Sequence, residues 1–169
     1  MSSFDFEKSL QRAERRLGDR ASSRRPRSDR GALRLPPEID SALGELVAGQ
    51  DRPGVVELQQ RLAPVCHRLG RRVPARGTIY KFLRQAPGRA YVVRELPPAA
   101  QAALYNLTAD SVVPGHQLAF YCFNYGDLAA ASFAAGLPWL ALYQAAMLPG
   151  WRDRSRGLLE ATLAARGIT

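Results

Sequence analysis

Apolar residues recur at helical spacing along most of this chain, and the interruptions between them divide it into segments. Near the start, Phe6, Leu10, Ala13 and Leu17 are spaced four, three and four apart, which predicts a short helix from Phe4 to Leu17 closed by Gly18. From Asp19 to Arg34 the periodicity disappears, and the run S-S-R-R-P-R-S-D-R-G reads as a flexible linker or arm. Leu35-Pro36-Pro37 opens the folded part, with Ile39, Leu43, Leu46 and Val47 lining one side of a helix. A second helix starts near Val55 and runs to Leu69, with Leu58, Leu62, Val65, Cys66 and Leu69 on one face. Pro64 lies inside it and is expected to kink or split it, since proline lacks an N–H and clashes with the preceding turn. After Gly70, the residues Ile79, Phe82 and Leu83 define a third helix from Arg76 to Gln85, stopped by Pro87-Gly88.

Beyond that stop, Tyr91-Val92-Val93 is a short β-prone run without a convincing second strand to make a wing. Leu96-Pro97-Pro98 opens a helix through Ala100, Leu104 and Leu107. His116 to Tyr125 is apolar almost all round and compatible with a buried strand, and its helical neighbours favour a helix. Asp127 is a candidate N-cap for Leu128 to Ala135. Gly136 ends that helix, a further one runs from Trp139 to Leu148, and Asp153 or Ser155 caps a last one ending at Gly167. The expected fold is mostly α, a helix-turn-helix domain with at most a short β element, followed by a helical C-terminal unit. Residues 1–34 form a basic arm, 35–96 the helix-turn-helix domain, and 97–169 a helical dimerisation or partner-binding region.

Charge sharpens this division. Of the 24 basic residues 22 are arginines, and the formal net charge is +9. The three segments carry +5, +4 and zero, so the positive field covers the first two-thirds and leaves a neutral, apolar last third. This asymmetry suggests one part that meets a polyanion and one that meets itself or a protein. At 46% hydrophobic, the chain is too apolar to be disordered throughout. Two cysteines, no signal-peptide pattern and no apolar run of 18 residues lead us to expect a cytoplasmic protein without a membrane span.

The run R-G-T-I-Y-K-F-L, within residues 73–85, resembles the recognition helices of bacterial helix-turn-helix regulators. The resemblance implies a major-groove reader, with Arg76, Thr78, Lys81 and Arg84 facing base edges or phosphates. Arg71, Arg72, Arg89 and Arg94 would neutralise the backbone. Arg24, Arg25 and Arg27 in the arm would track phosphates or the minor groove, or else serve only as a solvated tail. The turn before the recognition helix, Gly70 to Ala75, is longer than the standard three to four residues. A weaker resemblance covers residues 129–145, where Pro138, Trp139, Tyr143 and Gln144 would be exposed. None of these is basic, so packing or dimerisation is the favoured reading there. The expected activity is that of a sequence-specific repressor acting on double-stranded DNA as a homodimer. The alternative is an antitoxin or adaptor whose apolar last third binds a second protein.

Candidate chemistry changes this little. Cys66, His67, His116 and Cys122 lack the spacing of a zinc site, and the two cysteines fall on apolar faces. Neither a P-loop nor a G-x-G-x-x-G motif is present, and the carboxylates are scattered. We therefore expect no enzyme, no metal and no cofactor. Phe123 to Asp127 could line a ligand or partner site, and an aromatic core with Asp127 as a helix cap is the favoured alternative.

Overall fold

The computed structural model of the chain describes Leu33, residues 35–49 and residues 51–168. The expected Phe4–Leu17 helix and the arm residues Arg24, Arg25 and Arg27 lie outside the described residues. From Leu35 onward the chain forms one compact unit. It is mostly helical, with a small two-stranded antiparallel sheet.

Among the described residues three helices come first: α1 (Pro37–Val47), α2 (Val55–Arg68) and α3 (Arg76–Gln85). Their buried positions follow the apolar periodicity. Ile39, Leu43 and Val47 are buried from α1, Leu58, Leu62 and Cys66 from α2, and Ile79, Phe82 and Leu83 from α3. Leu46 and Val65 are only half-buried, and Leu69 is exposed. Helix α2 continues through Pro64 as one element, so the split does not occur. Pro64 lies on the solvent side, where water can satisfy the Gln60 carbonyl it leaves unbonded, while Leu62 and Cys66 keep the opposite face continuous.

The extended run becomes β1 (Ala90–Val92), followed by a 3-10 turn over Val93–Glu95. Its partner strand, which the sequence did not suggest, is β2 (Val112–Pro114), paired with Tyr91 opposite Val113. The pair is therefore no simple hairpin, because α4 (Pro98–Ala103) lies between its strands. Helix α4 stops short of Leu107 as the chain turns back toward β1.

Helix α5 (Gly115–Tyr125) is the centre of the remaining packing, touching α4, α6 (Leu128–Ala135), α7 (Trp139–Ala145) and α8 (Asp153–Ala165). Asp127 caps α6 as expected, accepting from the Ala130 N–H at 2.8 Å. Helix α7 ends earlier than expected, in turns ahead of Pro149, which disfavours helical geometry at Leu148. Neither Asp153 nor Ser155 is the cap of α8. Arg152 occupies that position, where Asn124 Oδ1 accepts its backbone N–H at 3.2 Å and the preceding Trp151 indole donates to Ala145 O at 3.0 Å.

The segments 35–96 and 97–169 are joined by more than the sheet. Gln144 on α7 is buried, and its amide donates to Leu83 O and Ala86 O at the end of α3, both at 2.9 Å. No single helix among the described residues is long and apolar enough to cross a membrane.

Candidate nucleic-acid interface

The turn between α2 and α3 is built by the end of α2. Gly70 takes a left-handed φ of 61°, its N–H bonds His67 O at 3.1 Å, and the Arg71 N–H bonds Cys66 O at 2.9 Å. This is a Schellman closure, in which glycine adopts positive φ without a Cβ penalty. It turns Arg71 and Arg72 outward, and both are exposed. Pro74 is buried further along, and its carbonyl accepts from the Gln59 amide at 2.9 Å, fastening the turn to the middle of α2. The connection spans Leu69 to Ala75, longer than a standard helix-turn-helix turn.

Helix α3 buries Ile79, Phe82 and Leu83, which leaves positions 77, 81 and 84 on the opposite ridge. Arg76 and Arg84 are exposed, while Thr78 and Lys81 are half-buried. Arg71, Arg72, Arg76 and Arg84 make no ion pair among the described residues. Arg89 is exposed and lies 5.1 Å from the centre of the Tyr91 ring. Partial burial raises the Tyr91 phenol above its ordinary pKa, and Arg89 opposes that shift. Arg94 differs from the others, because the Asp110 carboxylate pairs with it. Beside the turn, Ala63, Pro64, His67, Arg71, Arg72 and Val73 help to line an open hollow of about 580 Å³.

Two further features bear on this face. Tyr80 is exposed on α3 and adds an aromatic surface beside Arg76 and Arg84. From residue 58 to residue 94 there are nine cations and no Asp or Glu. The sequence contained this second signal, but charge summed over whole segments concealed it. Arg61 and Arg94 pair with Glu57 and Asp110 from outside the stretch, and the other seven cations have no carboxylate interleaved with them in sequence to cancel their field.

The second resemblance, at residues 129–145, resolves differently. Helices α6 and α7 meet at 119° across Gly136–Pro138, the angle of a helix-turn-helix pair. Yet Trp139 is fully buried and Gln144 nearly so, while Pro138 and Tyr143 are half-buried. The expected exposed face is therefore largely core, because α7 packs on α5 and reaches α3 as well. Cys66 and Cys122 are also buried, and burial pushes the Cys122 thiol up to about 12, so it remains protonated at neutral pH. Burial lowers the His116 pKa, favouring the neutral ring.

No protein-family model matches the chain, and no curated protein or solved structure matches it significantly.

Proposed function

We propose that this protein is a non-enzymatic, cytoplasmic DNA-binding regulator that acts as a homodimeric repressor and reads double-stranded DNA with α3. The observation carrying this reading is the acid-free stretch from 58 to 94, whose cations include the exposed Arg71, Arg72, Arg76 and Arg84 around α3. Arginine suits the task because its planar fork matches phosphate and guanine acceptors. One short helix reads too few base pairs for selectivity, which is why the reading includes a dimer. In the alternative reading, an antitoxin or adaptor, the neutral last third docks another protein. The exposed pair Tyr105 and Tyr125, with ring centres 5.9 Å apart, favours it.

The test is fluorescence anisotropy with a duplex from the gene's own upstream region and a scrambled duplex, across a salt series. The parent is compared with an Arg76→Ala/Lys81→Ala/Arg84→Ala variant whose helicity is verified by circular dichroism. We expect preference for the native duplex, and its loss in the variant with a salt slope lower by about 2–3. Equal binding of both duplexes, unaffected by the substitutions, would remove α3 as a reader.

A further inference from the structure

A second cleft, of about 380 Å³, lies where the end of α5 meets the starts of α6 and α8. Its size falls in the range of small-molecule pockets. One side is apolar, with Phe123, Ala131, Leu128 and Leu158, and Leu128 is 82% exposed at the rim. The other side is the first turn of α8. The Arg156 N–H closes that turn on Arg152 O at 2.8 Å, so the amides of residues 153 to 155 stand ahead of the helical ladder. Such amides, with the positive end of the helix dipole, favour an anion.

Three side chains make this more than a bare helix start. Ser155 is only 9% exposed, lines the cleft, and makes no side-chain hydrogen bond among the described residues. Its hydroxyl therefore has donor and acceptor capacity left over for a ligand in the cleft. Arg152 is held in place, with its guanidinium donating to Asn124 O at 3.1 Å and lying 4.7 Å from the centre of the Tyr125 ring. Arg154 is exposed at the cleft and forms no ion pair among the described residues. The carboxylate lining the cleft is that of Asp127, whose Oδ1 is engaged by the Ala130 N–H. Asp153, exposed on the same turn, does not line the cleft, so the cleft itself is lined by two arginines and one acid beside an apolar wall.

We propose that this cleft binds a small amphipathic carboxylic acid, its carboxylate on Ser155, Arg154 and the first turn of α8, and its apolar body against Leu128, Ala131 and Leu158. The apolar wall selects against a bare inorganic anion, and the hydroxyl and arginines select against an uncharged hydrocarbon. The site is independent of the DNA-reading proposal.

Titration calorimetry on the full chain tests it, with octanoate as the probe and octan-1-ol and inorganic phosphate as controls. We expect saturable one-to-one binding of octanoate, with octanol and phosphate each weaker by about tenfold or more, the effect of losing one charge-assisted contact or the apolar contacts. Ser155→Ala and Arg154→Gln should each weaken octanoate by about threefold to tenfold, and Leu128→Ser should do the same from the apolar side. All three positions are at the rim or the first turn, and an unchanged thermal unfolding curve verifies that each variant is folded. Equal affinity for acid and alcohol, phosphate binding as tight as octanoate, or no saturable octanoate binding would each overturn the proposal.

Discussion

Residue 126 shows how finely the centre of the fold is fitted. A Cβ placed there would lie 2.5 Å from the Cys122 carbonyl and also overlap the Ala130 side chain. Both belong to the elements that Gly126 joins, so neither can retreat without shifting α5 or α6. Gly126→Ala is therefore expected to lower stability by about 1–3 kcal/mol through overpacking. Urea denaturation should show a lower midpoint at unchanged slope, and an unchanged midpoint would contradict this reading. The sequence marked Gly126 as a break between helices, which is correct, but the need for a bare Cα comes from the close approach of two elements. That approach depends on tertiary packing and leaves no local pattern.

At the scale of elements, strong amphipathicity decided what was legible. Helices α1, α2 and α3 each have one apolar and one polar face, and their limits were read to within about a residue. Helix α7 is apolar nearly all round, so its phase is not legible in the sequence, and Trp139 and Gln144, expected at the surface, are core. The β1–β2 pair was half legible, because a three-residue strand such as Val112–Pro114 gives too short a pattern to distinguish from a helix start. Among the candidate site residues, the exposure of Arg84 follows from the helical phase, whereas that of Arg71 and Arg72 follows from the Gly70 closure. The engagement of Arg94 by Asp110 links residues 16 apart and could not be foreseen. Gln144 has the clearest energetic role in joining elements. Gln144→Ala removes both donors from the Leu83 and Ala86 carbonyls, and is expected to cost about 2–4 kcal/mol by leaving them unsatisfied. Equilibrium unfolding measures this, and a loss below about 1 kcal/mol would show that water replaces the amide.

For the whole molecule, the same amide has a kinetic meaning. It joins residues 61 positions apart, while the contacts among α1, α2 and α3 link neighbours in the chain. Closing a loop of that span costs about 3–4 kcal/mol of chain entropy before the contacts within it form. Local helix pairs can therefore assemble first, and the end of α3 is fastened only when α7 arrives against it. Gln144→Ala should accordingly accelerate unfolding by most of its equilibrium cost, with refolding changed by less than about twofold. Stopped-flow kinetics decides the matter, since an equally slowed refolding limb would place this contact in the folding nucleus. The helix bearing the exposed arginines would then reach its final seating last among α1, α2 and α3, and its fastening would be timed by a segment encoded far downstream.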